Sequence, residues 1–279
     1  AAKSAVSVLD EENDMMTVYQ MDLKYGSIRV YIGDDDKQYV QQGDNEAQQR
    51  GNLYITTDGS PTTNTLTIEG GTTGAKVTLS NVNINASGAA VSVSGDVELI
   101  ISGTNTLHSG TNHAGVEKID NGTLTISGTG TLEAYGGQGG AGIGGARNKN
   151  AGNIVIESGT IKANGGTWGA GIGGGQSAAG QNITIRDGNV TAIPGGEAAG
   201  IGGGYQGDGK NITIEGGTVN SRSGGGSGPG GAAAGADGLL RGSLRFLNFP
   251  LFSDCDTIRL GRKERGDSSL YKAISFHVQ

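Results

Sequence analysis

Asn153, Asn182 and Asn211 are evenly spaced, |i−j|=29 for each neighbouring pair, and Ile143, Ile172 and Ile201 keep the same interval. Each Asn opens the same phrase: Asn153-Ile154-Val155-Ile156, Asn182-Ile183-Thr184-Ile185 and Asn211-Ile212-Thr213-Ile214. Gly171-Ile172-Gly173-Gly174-Gly175 and Gly200-Ile201-Gly202-Gly203-Gly204 close the first two units. A fixed period in this range restricts the chain to a solenoid, because one unit cannot bury its apolar face alone and must lay it on the next.

Within a unit, apolar and polar residues alternate. Ile183 and Ile185 point one way, Thr184 and Arg186 the other, and Val190 and Ala192 resume the pattern after the Asp187-Gly188 turn. Period two means strands, and the long 3.6-period runs of a helical repeat are missing. Three short strands per unit predict an all-β fold, a right-handed parallel β-helix whose equivalent positions stack roughly 4.8 Å apart. Asn153, Asn182 and Asn211 should then form an amide stack on the interior, and Ile156, Ile185 and Ile214 an aliphatic one. Ala141, Ala170 and Ala199 mark a close approach of two walls. Glu157, Arg186 and Glu215 form an outward column of alternating sign, as does Glu133 with Lys162; opposite charges stabilise such a column and like charges would not. Shorter coils of the same grammar run upstream, for example Val77-Thr78-Leu79 and Ala90-Val91-Ser92-Val93, and His113-Ala114-Gly115-Val116 is a degenerate form of the Gly-Ala-Gly-Ile step.

These patterns divide the chain into N-terminal β cap strands (1–52), a β-helix of about six coils (53–222), a Gly/Ala-rich linker (223–238) and a tail (239–279) that is either a C-terminal cap or unrelated sequence. All four Phe (Phe246, Phe249, Phe252, Phe276) and the only Cys, Cys255, lie in the tail. A cap is expected because open solenoid edges template further pairing. The 55 glycines among 279 residues fall at fixed places in the period, unlike those of a disordered linker. A net charge of −7 disfavours a nucleic-acid partner. One Cys excludes an internal disulfide framework, and no apolar run is long enough to span a membrane. The start at Ala1-Ala2-Lys3 predicts a processed, secreted or cell-surface protein, or an excised module.

Candidate chemistry centres on aromatics in turns. Trp168, the only Trp, lies in Gly165-Gly166-Thr167-Trp168-Gly169-Ala170 and is expected to be exposed, with Gly139 and Glu197 at the equivalent places of adjacent coils. Tyr205 shares a ladder position with Gln176 and Arg147, and Tyr135 precedes Gly136-Gly137. Sugar rings stack on flat aromatic faces, so Trp168, Tyr205, Tyr135, Glu197 and Gln176 are the expected carbohydrate-binding strip. The charged columns offer an acid/base set for polysaccharide cleavage, but alternation of sign already accounts for them, and nothing points to the burial that tunes a catalytic pKa. No cofactor is expected, and no metal: Asp34-Asp35-Asp36 reads as a solvated turn, Gly203–Gly209 carries one Asp, and His108, His113 and His277 have no ligand spacing. The sequons at Asn182 and Asn211 fall on the supposed interior stack and read as fortuitous.

The phrase Asn-Ile-Thr-Ile-x-x-Gly-x-Val-x-Ala…Gly-Ala-Gly-Ile-Gly-Gly-Gly resembles the glycine-rich repeats of large secreted or cell-surface proteins of gut anaerobic bacteria. It is also similar to a parallel β-helix carbohydrate-binding module that accompanies xylanases in herbivore-gut bacteria. The resemblance covers about residues 53–222. It implies a non-catalytic module that targets an associated glycoside hydrolase, either covalently attached or a separate partner, to plant cell-wall polysaccharide, xylan first. The alternatives are a polysaccharide lyase or hydrolase on the same fold, and a passive adhesin or spacer; fold alone does not choose among them.

Overall fold

The computed structural model describes residues 15–222 and Gly224, together with short backbone strands at Ala5–Leu9, Leu239–Leu240, Ser243–Arg245 and Arg259–Leu260. Apart from Gly224 and those strands, the linker 223–238 and the tail 239–279, with its four Phe and Cys255, lie outside the described residues.

The chain winds as a parallel β-helix. Sheets of 11, 9 and 7 strands form its three walls, here A, B and C. One coil shows the path: Asn153–Ile156 lies in wall A, Thr160–Asn164 in wall C and Ile172–Gly173 in wall B, before Gly180–Ile185 re-enters wall A. Down wall A, Leu53 pairs with Val77, Val77 with Leu99, Leu99 with Ile126, Ile126 with Ile156, Ile156 with Ile185 and Ile185 with Ile214. The steps are unequal as far as Ile156 and constant from there on. Unequal early steps are accommodated at the corners, so the walls stay in register.

Period two sets the core. Ile154, Ile156, Ile183, Ile185, Ile212 and Ile214 are buried, while Val155, Thr184 and Thr213 between them face outward in one column. Wall C supplies Leu132, Ile161, Val190 and Val219, with Ala134, Ala163 and Ala192 two positions on. Each buried Ile contributes about 1.5–3 kcal/mol relative to exposure. The expected charged columns are present: Arg186 pairs with Glu157 and lies 3.7 Å from Glu215, and Lys162 lies 3.6 Å from Glu133. Ala141, Ala170 and Ala199 are fully buried.

The asparagine stack forms, but not on the interior. Asn182 Nδ2 donates to Asn153 Oδ1 at 2.9 Å and Asn211 Nδ2 to Asn182 Oδ1 at 3.0 Å, with Asn182 and Asn211 both exposed. The reason is the alternation itself: with Ile183 and Ile212 inward, the residue before each points out. Both Asn take positive φ, 55° and 53°, a conformation Asn tolerates because its short side chain bonds locally. The two sequons are therefore on the surface, with their amides engaged in the stack.

At the N-terminal end, Met15–Asp22 and Ile28–Ile32 join walls A and B in parallel with Leu53–Thr56 and Leu66–Glu69. Ala5–Leu9 and Gln38–Gln42 add antiparallel strands outside them. Asp34-Asp35-Asp36 turns the hairpin between Ile28–Ile32 and Gln38–Gln42: Asp35 accepts from the Tyr39 hydroxyl at 3.0 Å and Asp36 from the Thr73 hydroxyl at 2.8 Å. The acidic run is thus tied to its own turn.

Asn105 and Lys118 are large polar side chains that interrupt the bore. Asn105 occupies the inward position of wall C where the next coil has Leu132. Its carboxamide accepts from the Val82 N–H at 3.0 Å and donates to Ser102 O and Thr131 O at 3.0 and 3.2 Å, so its burial leaves nothing unpaired. Lys118 occupies the position of Val93 in wall B, fully buried, and its ammonium reaches Asp120 at the corner.

Candidate functional site

In the three later coils wall B shrinks to a pair of residues, as at Ile143–Gly144, and the chain spends the saved length on two loops. The first covers residues 136–141, 165–170 and 194–199; the second covers 145–151, 174–179 and 203–208. Within a coil the loops are tied together: Ala141 N–H donates to Gly145 O at 3.0 Å, Ala170 to Gly174 at 3.1 Å and Ala199 to Gly203 at 3.0 Å. Stacked coil on coil, the loop pairs make a ridge along the solenoid axis.

Glycine makes this stacking possible. A Cβ on Gly166 would lie 1.7 Å from Gly137 O, and one on Gly195 would lie 1.8 Å from Gly166 O. Each carbonyl of the lower coil occupies the place of a side chain on the coil above. No other residue fits, whatever its backbone preference.

The ridge carries four of the five expected sugar-binding residues. Backbone hydrogen bonds set them in two neighbouring columns. Arg147, Gln176 and Tyr205 form one: Asn148 N–H donates to Gln176 O at 2.8 Å and Ser177 N–H to Tyr205 O at 2.6 Å. Gly139, Trp168 and Glu197 form the other. Cross-links join them, Gln176 N–H to Gly139 O at 2.8 Å and Tyr205 N–H to Trp168 O at 2.9 Å. Trp168 is half-buried rather than exposed, as are Tyr205, Gln176 and Glu197. The Gln176 Oε1 atom is buried and has no hydrogen-bond partner among the described residues.

Tyr135 is not brought to the ridge. It ends a strand of wall C, stacks on His108 with ring centroids 4.2 Å apart and donates its hydroxyl to Glu133 Oε2 at 2.5 Å. That hydrogen bond, with burial behind it, raises the phenol above its ordinary range.

The ridge ends below at His113 and Glu117, which look like a catalytic pair and have a structural cause. Glu117 aligns with Gly144 of the next coil, where the second loop begins. Its coil has no second loop, so Glu117 Oε2 accepts the Ala114 N–H at 3.0 Å, the bond that a loop carbonyl accepts in each later coil. The same oxygen meets His113 Nδ1 at 2.9 Å. Lys118 and Asp120 follow. Burial pushes the Asp120 carboxyl up, but the Lys118 ammonium and the N–H groups of Gly95 and Gly122 outweigh it and hold the group below the ordinary carboxylate range. Glu117, Lys118 and Asp120 escape sequence reasoning because the unequal early steps, from Val77 to Leu99 and from Leu99 to Ile126, hide the register that would place them.

A shallow groove of about 520 Å³ runs along the corner between walls B and A, lined by Glu69, Ser94, Asp96 and Asp120 beside Gly71 and Gly95. Its acids are engaged: Arg29 pairs with Glu69, Asp96 accepts the Thr123 N–H at 2.7 Å and Asp120 the Gly95 N–H at 2.7 Å. No group of three or more His, Cys, Asp or Glu suited to a metal ion occurs among the described residues.

Three segments, residues 124–147, 154–176 and 183–205, match the Beta helix repeat family. Each starts in wall A and ends in the second loop or at its start, so the repeat as that family defines it includes ridge residues. Comparison with curated proteins and with solved structures finds no match.

Proposed function

We propose that the chain is a non-catalytic module, secreted or at the cell surface, that binds an extended plant cell-wall polysaccharide along the ridge, xylan being favoured by the resemblance of its repeats. Its role is to hold an attached glycoside hydrolase at an insoluble substrate, which raises the local concentration of cleavable bonds.

One observation carries this reading. The ridge sets Trp168 beside Tyr205 and adds Gln176 and Glu197 in columns that advance one coil at a time. Parallel strands are spaced about 4.8 Å apart, close to the length of one pyranose in a β-linked chain. A sugar chain lying along the axis meets one ridge position per residue. Aromatic faces take the C–H side of a ring, and the Gln176 amide N–H and the Glu197 carboxylate take its hydroxyls.

Affinity electrophoresis against xylan, glucan, mannan and pectin tests the reading. Trp168→Ala should reduce retardation by xylan at least about tenfold, equivalent to ~1.4 kcal/mol. Unchanged migration removes Trp168 from the site. Release of soluble sugars by the isolated chain would instead favour the lyase or hydrolase reading.

A further inference from the structure

Resting on the reading of the ridge as a glycan-binding edge, we propose that the bound polysaccharide is anionic, and that Arg147, with Lys149 beside it, receives a carboxylate on a sugar one coil below Gln176. Most other described Lys and Arg residues are engaged: each pairs with a carboxylate, except Arg50, which lies over the Tyr19 ring, and Arg222, at the edge of the described residues. Arg147 and Lys149 make no ion pair among the described residues, and both are exposed on the same second loop of the ridge. On a chain of net charge −7, these two exposed cations two residues apart make the loop a local positive spot.

Arg147 heads the column that continues through Gln176 to Tyr205. Its N–H donates to Asn112 O at 2.9 Å, and its stem rests over Gly139, where an added Cβ would lie 3.0 Å from Arg147 Cβ and 3.0 Å from Asn112 Oδ1. The stem thus starts at the foot of the aromatic edge, and the exposed guanidinium, in no ion pair among the described residues, offers its planar fork to a bidentate carboxylate. Successive sugars along the column meet a ring face at Tyr205, the amide N–H side of Gln176 and the guanidinium of Arg147. The protein's overall negative field repels polyanions, so binding selects chains whose carboxylate falls at this one rung.

The test is affinity electrophoresis of the whole chain against three polymers: a glucuronate-substituted xylan, the same xylan with its carboxyls reduced to alcohols, and a sulfated xylan. Carboxyl reduction should weaken binding about tenfold, as expected for loss of a charge-assisted bidentate contact. Arg147→Gln should lower affinity for the acidic polymer to that for the reduced one, so that the two losses do not add. Arg147→Lys, which keeps stem and charge, should recover part of it. Equal retention of acidic and reduced polymer by the unaltered chain overturns the proposal, and so does an Arg147→Gln loss of equal size on both polymers, which marks a structural role. Retention of the sulfated polymer as tight as that of the uronate overturns the choice of carboxylate. Retardation by none of the polymers removes the ridge reading itself, a result distinct from binding that ignores charge.

Discussion

At Gly195 a single carbon decides whether two coils can stack. Its Cβ would lie 1.8 Å from Gly166 O, whereas a Cβ on the next residue, Gly196, would meet nothing closer than Thr167 O at 3.7 Å. Gly195→Ala is therefore expected to destabilise the protein by about 3 kcal/mol, at the upper end of ordinary overpacking because the obstacle is backbone. Gly196→Ala should be neutral or slightly stabilising, since it restricts the unfolded chain at an unstrained site. Thermal melts of the two variants check the contrast; equal midpoints would mean that coil-on-coil contact does not fix the glycines. The positions of these glycines are legible in the repeat period, but their cause is not. A Gly-Gly pair reads equally well as a flexible turn, and only the carbonyl beneath it distinguishes a requirement from a convenience.

At the scale of the element, the strand Val116–Lys118 is where short coils give way to long ones. Lys118 lies on the inward side with 0% of its side chain exposed, while Asp120, its partner, is 44% exposed. Removing the acid strands a buried cation, so Asp120→Asn should cost about 3 kcal/mol, the low end for a broken buried pair because Asp120 is partly in water. Replacing the pair together, Lys118→Met with Asp120→Asn, puts an apolar chain at the Val93 position and should recover most of that loss. The Asp120 carboxyl is held below its ordinary range in the fold, so its contribution is present above the unfolded value near pH ~4 and is lost as pH falls through the lower folded value. Urea melts between neutral and acid pH should show that acid limb in the unaltered protein and a smaller one in Asp120→Asn. An unchanged limb would assign acid sensitivity to other carboxylates. The strands of walls A and C are readable from alternation alone. The ridge is not: Gly-Ala-Gly-Ile-Gly-Gly reads as a third strand, yet only Ile172–Gly173 and its equivalents pair in wall B. Trp168 and Tyr205 are recognisable as turn aromatics, while Tyr135, similar in sequence context, belongs to wall C. A glycine adjoins each of the three, and sequence spacing alone does not tell a loop that leaves the wall from a corner that stays in it.

For the whole molecule, stability is close to a sum of coil terms and nearest-neighbour contacts. Deleting residues 183–211 joins Asn182 to Ile212, which is the register partner of Ile183. The shortened chain should remain folded, with β-type circular dichroism and a midpoint a few degrees lower, and should lose Tyr205 and Glu197 from the ridge while keeping Trp168. Deleting residues 183–202 instead removes less than one period, breaks every column and should yield an aggregated product. If both deletions behave alike, the period is not the unit of stability.

The asparagine row gives this stack a direction. Every carboxamide donates toward the N-terminus: Asn211 to Asn182, Asn182 to Asn153, and Asn153 to the backbone oxygen of Asn121 at 2.6 Å. Aligned amide dipoles add along the axis instead of cancelling, and a unit inserted upside down would set like poles against each other. Growth by copying is thereby confined to head-to-tail order, which makes the molecule a vector and never a palindrome.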